Sequence, residues 1–384
     1  MSAYANAFGG VFNGLTILVT GHTGFKGAWL SIWLRELGAK VIGYALAPPT
    51  TPNHFEIARL ADHIKTVHGD ILDAEHLKQT IETYQPTVIF HLAAQSNVLH
   101  SFRRPVETFT TNVIGTINVL EAVRSTDSVR TVVGITSDKC YANQEWLWGY
   151  RENDRLGGHE PYSASKAMAE LAIESYRDSF FARDQDDLHG VGIASTRAGN
   201  VIGGGDFADF RLVPDCMKAL MAGHPIEVRN PHSVRPWQLV LEPLSGYLWL
   251  AVKLLQTAPE FAGPWNFGPL EQQGVTAGAI VEKAIECWGA GTWYHPQVEE
   301  PQRETALLRL SWDKAANRLG WRPTYTWEEA IAATVGWFKY YQAQHDAAIG
   351  HGTSDNIDMY SFCVEQICAY TQRAKALQIA WSVS

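Results

Sequence analysis

The feature that most constrains the fold is a glycine-rich turn between a strand and a helix. The apolar run "TILVT" leads directly into "TGHTGFKG", where Gly21, Gly24 and Gly27 recur at every third position. In such a turn the first glycine permits a sharp bend, the second lets a pyrophosphate approach the backbone, and the third lets the helix pack on the strand. The phosphates then lie at the positive end of the helix. The turn therefore predicts a dinucleotide-binding site.

The N-terminal half of the chain alternates between strand and helix patterns. Strands are predicted at "TILVT", "KVIGYA", "TVIFHLA", "RTVVGITS" and "VGIASTR", and a helix repeats apolar residues between Val106 and Val123. Strands that are connected through helices indicate a parallel sheet covered on both faces. We therefore predict an α/β protein built on a Rossmann-type doubly wound parallel sheet.

Beyond about Asn200 the alternation fades, which indicates a smaller, mixed α/β C-terminal substrate domain. We predict a dinucleotide-binding domain at residues 1–200 with a return segment near 232–257, and a substrate domain at 201–345. A helical extension with one apolar side follows at 346–384. It packs either on its own domain or across a subunit boundary.

Composition narrows the possible classes of function. The 384 residues carry a net charge of −9 at pH 7, which argues against a general nucleic-acid-binding protein. The five cysteines are odd in number and lack zinc-ligand spacing, so we predict reduced thiols and no metal site. The N-terminus has no basic or apolar targeting region, and no apolar run reaches membrane-spanning length. We therefore expect a soluble, cytoplasmic protein.

Two short stretches can carry chemistry in such a fold. In "PYSASKAMAE", Tyr162 and Lys166 lie four residues apart and share one helix face, although YxxxK alone is also typical of a solvated helix surface. An ammonium beside a phenol lowers the tyrosine pKa and makes the phenol a usable proton acceptor. "ITSDKCY" supplies Ser137, Asp138 and Lys139 at a strand end, where open α/β sheets bind ligands.

The motifs in their order make this interpretation specific. The GxxGxxG turn, "HLAAQ", "TSDKCY" and YxxxK resemble the extended short-chain dehydrogenase/reductase superfamily and its NAD-dependent epimerase/dehydratase family. Within it, "GHTGFKGAWL", "GYRENDRLGGHEPYSASK", "RAGNVIGGGD" and "NPHSVRPWQ" closely resemble CDP-glucose 4,6-dehydratases, over about Phe12 to Tyr340. The resemblance implies a hydro-lyase of deoxysugar biosynthesis that converts CDP-glucose to CDP-4-keto-6-deoxyglucose with bound NAD. It also implies a homo-oligomer, either a dimer or a tetramer.

The resemblance assigns roles to particular residues. Tyr162, assisted by Lys166, would take the C4 hydroxyl proton, Ser137 would hold a substrate oxygen, and Asp138 would protonate the departing hydroxide. Lys139 would either take the C5 proton or stabilise enolate charge, and a strand-end cap is the alternative role for Asp138. The expected cofactor-binding residues are Gly21, His22, Thr23, Gly24, Phe25, Gly27, Asp70, Ile71, Ala93, Ala94, Gln95, Asn112, Tyr162 and Lys166.

The choice between NAD and NADP depends on the end of the second strand. There "GYALAPP" offers neither an acid for the ribose hydroxyls nor an arginine for a 2′-phosphate. Asp70, after the third strand, either contacts the adenine or caps the strand end. On this pattern we expect NAD.

The resemblance places six residues in a nucleotide-sugar cleft: Ser96, Asn97, Arg197, Asn200, Arg211 and Arg235. Arg235 is the strongest candidate for the diphosphate because a guanidinium matches phosphate oxygens as a bidentate fork. Each arginine could instead form a structural salt bridge. Trp146, Trp148 and Trp237 either flank the sugar or base or, more typically, belong to the core.

The chain departs from the family pattern at Ser96, Asn97, His100 and Leu239, which we expect near the sugar or nucleotide. A dehydratase or epimerase for a GDP-, dTDP- or UDP-hexose is therefore the alternative function. A non-catalytic dinucleotide-binding protein is a third hypothesis. The presence of Ser137, Tyr162 and Lys166 together disfavours it.

Overall fold

The computed structural model describes residues 7–181, 190–271, 274–296, 307–350 and 357–383. The strands in these ranges are β1 Thr16–Thr20, β2 Lys40–Ala45, β3 Lys65–His68, β4 Val88–His91, β5 Thr131–Ile135, β6 Gly192–Arg197, β7 Val201–Ile202, β8 Ile226–Glu227, β9 Val234–Arg235, β10 Gln238–Leu239, β11 Gly263–Asn266, β12 Val275–Thr276 and β13 Trp293–Tyr294.

The helices in the same ranges are α1 Phe25–Glu36, α2 His54–Ile57, α3 Ala74–Tyr84, α4 Val98–Arg103, α5 Pro105–Phe109, α6 Gly115–Arg124, α7 Pro161–Phe180, α8 Leu212–Met221, α9 Leu241–Phe261, α10 Ala277–Trp288, α11 Trp327–Gly350, α12 Tyr360–Ala376 and α13 Ala380–Val383. A π-helical segment, Thr110–Ile114, joins α5 to α6, and a second one covers Ala315–Leu319. Short 3₁₀ turns cover Ala7–Gly10, Leu60–Asp62 and Asp138–Cys140.

The central sheet has seven strands in the order β11-β6-β5-β4-β1-β2-β3, and every neighbouring pair is parallel. The strand order reverses beside β1, between β1 and β4. This reversal creates the crevice in which doubly wound sheets bind ligands. The predicted fold class is confirmed.

Alternating residues of the strands face two separate cores, which is the pattern of a sheet covered on both faces. From β1, Ile17 and Val19 join a cluster with residues of α1, α9 and α12, whereas Leu18 joins a cluster with residues of α3, α6 and α7. Because each strand is buried on both sides, its sequence is apolar throughout rather than alternating. The sheet is therefore held rigidly beneath the loops at its carboxyl edge.

After residue 200 the chain leaves the sheet and later returns to it. The return runs through α9, which packs on β5 and β6, and through β11, which pairs with β6. It therefore covers Leu241–Asn266 and lies later than the expected segment near 232–257. The division into domains at 1–200 and 201–345 stays a prediction.

The C-terminal extension packs on its own chain. Helix α12 lies against α1, where the rings of Tyr370 and Trp33 meet edge to face with centroids 5.8 Å apart. Trp381 of α13 stacks on Phe8 with centroids 4.9 Å apart. These contacts fit packing of the extension on its own chain, and packing across a subunit boundary stays a prediction. Its contacts lie on the side of the sheet that carries α1.

Candidate active site

The glycine turn forms a cradle at the start of α1. Gly21 has a φ of +77°, and a Cβ there would lie 2.8 Å from the backbone nitrogen of Ala93. A Cβ at Gly27 would overlap the carbonyl oxygen of Gly21, whereas Gly24 has only that same oxygen nearby, at 3.4 Å. Gly24 begins α1 without any side-chain hydrogen bond to cap it. The open backbone at Gly24 fits a pyrophosphate.

The other residues of the turn mainly shape it. The His22 side chain is fully buried between Gly43 and Phe55, so it does not line the cleft as a cofactor contact would require. The Thr23 hydroxyl donates to the carbonyl oxygen of Leu46 at 3.0 Å, which ties the turn to the end of β2. Phe25 is half-buried. Its ring lies against Gly203, and a contact between Phe25 and a cofactor stays a prediction.

Asp70 and Ile71 follow β3 beside this turn. The Asp70 carboxylate accepts the backbone N–H of Leu72 at 2.9 Å, and its carbonyl oxygen accepts the Tyr44 hydroxyl at 2.9 Å. These bonds correspond to the strand-end cap that we considered as an alternative. Ile71 is buried against Gly115. A contact between Asp70 and an adenine stays a prediction.

Asn112 connects the loop after β4 to α7. Its side chain accepts the N–H of Gln95 at 2.8 Å and donates to the Gln95 carbonyl at 3.0 Å and to the Ser165 hydroxyl at 2.8 Å. It is 2% exposed. Asn112 therefore positions the loop that contains Ala93, Ala94 and Gln95 rather than offering a free amide to a cofactor.

Ser137 and Asp138 lie just beyond the carboxyl end of β5, as the sequence predicts. The Ser137 hydroxyl donates to the Asp138 carboxylate at 3.0 Å, and both side chains are buried. The Asp138 carboxylate lies against the backbone of Gly199, where no Cβ could fit. Lys139 is half-buried in the following 3₁₀ turn. The structure thus brings an acid and a hydroxyl together at the strand end.

Tyr162 faces this pair from the first turn of α7. Burial raises its pKa to about 12, while a hydrogen bond with Ser137 and the charge of Arg211 oppose that rise. Burial also lowers the pKa of Lys166 to about 8, and its ammonium donates to the carbonyl oxygen of Ile135 at 3.3 Å. We expected Lys166 to lower the pKa of Tyr162. In this structure Arg211 is the cation that does so, because the Lys166 ammonium is held by β5.

The first turn of α7 is fixed by Glu160, which we did not single out in the sequence. Its carboxylate accepts the backbone N–H groups of Tyr162, at 2.7 Å, and of Ser163, at 3.0 Å. An acidic residue just before Pro161 was the available signal, because acids cap helix N-termini and proline favours the first helical position. Glu160 therefore sets where the Tyr162 side chain enters the site.

Arg211 and Ser96 meet on the opposite side of the cleft. The Arg211 guanidinium donates to the Ser96 hydroxyl at 3.3 Å and pairs with Asp206 at 3.1 Å. Asn97, in contrast, caps α4 by accepting the N–H of His100 at 3.0 Å. Two expected cleft residues thus lie together, and Arg211 belongs to the catalytic cluster because its charge reaches Tyr162.

The expectation that Arg197 lines the substrate cleft is wrong. Its side chain is 3% exposed and pairs with Glu170 at 2.8 Å, while it also donates to the Tyr141 hydroxyl at 2.7 Å. Glu170 further accepts the hydroxyls of Ser195, at 2.6 Å, and Thr136. This is the structural salt bridge that we considered as the alternative. Glu170 lies one helical turn after Lys166, on the helix face that Tyr162 and Lys166 share, and an acid at this spacing was the missed signal.

The remaining substrate candidates lie around β7, β9 and β10. Asn200 adopts a left-handed backbone with φ 44°, and its amide nitrogen is buried without a hydrogen-bond partner in the described ranges. Arg235 is half-buried in β9 and donates to the carbonyl oxygen of Val234 at 2.9 Å. Leu239 is 4% exposed and packs in the core, so this departure does not face the sugar. A place in the cleft for Asn200 and Arg235 stays a prediction.

The three tryptophans differ in their surroundings. Trp146 stacks on Tyr150 with ring centroids 5.2 Å apart, and Trp237 is half-buried and donates to the carbonyl oxygen of Val275 at 3.2 Å. Trp148 is 59% exposed, so it does not belong to the core.

In the described part of the chain, no group of three or more His, Cys, Asp or Glu side chains is arranged to hold a metal ion. Among the described helices, none is long and apolar enough to cross a membrane.

The comparisons with known proteins agree with this geometry. The family model for GDP-mannose 4,6 dehydratase matches residues 18–251, more than half of the chain. The chain belongs to this dehydratase family. It is 46% identical to the CDP-glucose 4,6-dehydratase of Salmonella typhimurium, over 88% of this chain and 94% of that protein.

More distant relatives are also named as nucleotide-sugar dehydratases. A dTDP-glucose 4,6-dehydratase of Xanthomonas campestris is 26% identical over 84% of this chain and 93% of its own length. The crystal structure of a dTDP-glucose 4,6-dehydratase from Streptomyces venezuelae, solved with NAD and TYD bound, superposes with a TM-score of 0.71. That superposition covers 86% of this chain and 98% of the other, at 23% identity. It therefore supports the fold of this chain.

Proposed function

We propose that the chain is an NAD-dependent nucleotide-sugar 4,6-dehydratase that converts CDP-glucose to CDP-4-keto-6-deoxyglucose. The observation that carries this proposal is the pairing of Asp138 with Ser137 opposite Tyr162. An epimerase needs the tyrosine and the hydroxyl, whereas loss of water also needs an acid at the departing hydroxyl. The 46% identity to a protein named for this reaction supports the choice of CDP-glucose.

The first chemical step uses Tyr162 and its neighbours. Ser137 orients the C4 oxygen, and Tyr162 accepts the C4 hydroxyl proton. Because burial keeps the pKa of Tyr162 at about 12, the phenolate needs nearby positive charge, which Arg211 supplies. When bound, NAD supplies the hydride acceptor and donor of the reaction.

The second step depends on Asp138. A ketone at C4 acidifies the C5 hydrogen, so that water can leave across C5 and C6 once the C6 hydroxyl is protonated. Asp138 is the acid that donates this proton. Lys139, next in the chain, either removes the C5 proton or stabilises the enolate charge. The reaction involves no net oxidation.

The cofactor proposal rests on the residues around β2. No arginine stands at Ala45–Pro49, where a 2′-phosphate would need one, and Gly24 leaves room for a pyrophosphate. We expect the protein to bind NAD more tightly than NADP. Competing titrations with both cofactors test this, and a clear preference for NADP would reject it.

We also propose that the protein is a cytoplasmic homo-oligomer. Its five cysteines are all free thiols, which suits a reducing compartment. Apolar side chains are exposed on α5, the π segment and α7, which pack together: Val106, Ile114, Met168 and Leu171. Such a surface typically pairs with a second copy. Sedimentation should give a dimer or tetramer that Leu171→Glu weakens, and a monomeric wild type would contradict the proposal.

A substrate panel tests the proposed reaction directly. Purified protein is incubated with CDP-glucose, dTDP-glucose, UDP-glucose and GDP-mannose, and the products are identified by mass. We expect loss of one water from CDP-glucose alone. Loss of water from another nucleotide sugar would replace the substrate, and an unchanged mass with a new stereochemistry would indicate an epimerase.

The division of labour between Tyr162 and Asp138 can be tested by substitution. Tyr162→Phe should prevent reduced nicotinamide from forming at any time and lower turnover by about 10²–10⁴-fold. Asp138→Asn should still reduce the nicotinamide and accumulate a 4-keto-hexose, while the 6-deoxy product falls sharply. Stopped-flow absorbance with product mass reports both steps. If Asp138→Asn abolishes nicotinamide reduction as completely as Tyr162→Phe, the two residues do not act in separate steps.

A further inference from the structure

Lys26 is a cation at the start of α1 that the sequence interpretation did not use. It is the second residue of the helix, two positions after Gly24, and its side chain is half-buried. Cations are unfavourable at a helix N-terminus because the positive end of the helix dipole lies there. An anion close to the Lys26 ammonium would offset this unfavourable placement.

The packing of α1 places Lys26 beside the catalytic cluster. On one side of it the Phe25 ring lies against Gly203, and further along the helix the Trp29 indole N–H donates to the carbonyl oxygen of Gly204 at 2.9 Å. The same segment of chain begins at Gly199, against Asp138, and continues to Asp206 and Arg211. The start of α1, which carries Lys26, thus packs on the segment that leads to Asp206 and Arg211.

Charged groups of both signs act on Lys26. Burial lowers its pKa to about 8, and Arg211, Asp138, Lys166 and Asp206 all act on it, the two cations lowering the pKa and the two carboxylates raising it. The two carboxylates that act on Lys26 already have other partners. Asp206 already pairs with Arg211, and Asp138 already accepts from Ser137.

Among the described residues, none forms a hydrogen bond or ion pair with the Lys26 ammonium. A half-buried ammonium beside two other cations is costly unless a ligand supplies negative charge. The groove between the glycine turn and Arg211 is the place where diphosphates would lie under the proposed function. A phosphate oxygen there would complete the environment of Lys26.

We propose that Lys26 is a further binding residue of the active site, whose ammonium binds a phosphate oxygen of a diphosphate. The inference rests on the proposed function for the presence of two such ligands. One is the pyrophosphate of the dinucleotide, and the other is the diphosphate of the nucleotide sugar. Both ligands would offer a phosphate oxygen to the Lys26 ammonium. The experiment therefore measures the binding of each ligand separately.

Calorimetric titration of the whole chain with NADH, and separately with CDP, measures both arms without turnover. Lys26→Met keeps the length of the side chain and removes the charge, while Lys26→Arg restores a cation. Lys40→Met, on the exposed first residue of β2, is the matched control. If Lys26→Met does not fold, Lys26→Gln takes its place, because its amide remains polar without charge.

We expect Lys26→Met to weaken one of the two ligands by about 10- to 100-fold, with Lys26→Arg recovering most of the affinity and Lys40→Met leaving it unchanged. A loss confined to NADH assigns Lys26 to the dinucleotide, and a loss confined to CDP assigns it to the substrate. Unchanged affinity for both ligands overturns the proposal.

Failure of the proposed function would be visible separately. A wild-type protein that binds GDP instead of CDP has a different substrate, and the Lys26 variants are then compared with GDP and NADH. The result for Lys26 therefore does not depend on which nucleotide sugar is converted.

Discussion

Two buried glutamates, one in the wall of the active site and one beneath the C-terminal helix, are held in opposite ways. Glu170 of α7 pairs with Arg197 at 2.8 Å and accepts the hydroxyls of Ser195 and Thr136. The donors to Glu242, in the first turn of α9, are all neutral within the described ranges. Glu242 accepts the backbone N–H groups of Thr324, at 2.9 Å, and Tyr325, at 2.7 Å, and the Tyr370 hydroxyl at 2.7 Å.

The two carboxyl groups consequently ionise differently. Burial by itself would raise the pKa of Glu170, but Arg197 and the two hydroxyls outweigh burial, so its pKa lies below the usual value. Burial raises the pKa of Glu242 to about 7, because among the described residues only neutral hydrogen-bond donors oppose the effect of burial. The charge of the partner, rather than depth alone, decides the outcome. Glu170 in the active-site wall therefore stays ionised near neutral pH. Glu242, which contacts α12 through Tyr370, changes its protonation state near pH 7.

The largest expected effect comes from breaking the charged pair. Glu170→Gln leaves the Arg197 guanidinium buried without its counter-charge, which should lower the free energy of unfolding by about 3–5 kcal/mol. The control is Glu174→Gln on the same helix, since Glu174 is 56% exposed and pairs with Arg177 at 3.6 Å. That surface pair should contribute less than about 1 kcal/mol. Urea unfolding measures both, and equal losses would show that the buried pair is not special.

The next-largest effect is the dependence of protein stability on pH that Glu242 causes. Between pH 4.5 and about 7 the folded protein keeps a proton on Glu242 that the unfolded chain has released, so stability falls as pH rises. A shift of this size corresponds to a change on the order of 3 kcal/mol. Urea unfolding of wild type and Glu242→Gln at pH 5 and pH 8 isolates it, because glutamine cannot ionise.

The wild-type protein should lose stability relative to Glu242→Gln as the pH rises, and parallel profiles would contradict a raised pKa at Glu242. The same comparison with Glu170→Gln sharpens the contrast. Because the pKa of Glu170 lies below its usual value, wild type and Glu170→Gln should follow parallel profiles over this pH window. A diverging profile would mean that Arg197 does not keep Glu170 ionised.

Much of the site could be predicted because it depends on local patterns. The glycine turn, Ser137 and Asp138 at a strand end, and Tyr162 and Lys166 on one helix face each follow from residues close together in sequence. Parallel strands then bring their carboxyl ends to one edge of the sheet. These relations need no knowledge of long-range side-chain packing.

Arg197, Leu239 and Lys26 show where such patterns end. Arg197 ends β6 at the edge where ligands bind, but its partner Glu170 lies on α7, 27 residues earlier, and no local pattern encodes that pairing. Leu239 stands in a motif of the cleft and yet faces the core. Lys26 lies inside a motif that we did recognise, and its importance depends on Asp206 and Arg211, which are distant in sequence.

The smallest expected effect tests the neutral donors around Glu242. Tyr370→Phe keeps the ring that packs between Trp33 and Trp381 but removes the hydroxyl that donates to Glu242 at 2.7 Å. The loss should be about 1 kcal/mol at pH 5, where Glu242 is protonated, and about 2 kcal/mol at pH 8, because hydrogen bonds to a charged group are stronger. Since the hydroxyl favours the ionised form, its removal should also raise the pKa of Glu242 further and move the fall in stability to higher pH.

Urea unfolding of wild type and Tyr370→Phe across pH 5–9 measures both effects. Tyr340→Phe, on the partly exposed ring of α11, is the matched control and should follow the wild-type profile. An equal loss at pH 5 and pH 8 would mean that Glu242 does not ionise in the folded protein, and the contrast with Glu170 would then rest on burial alone.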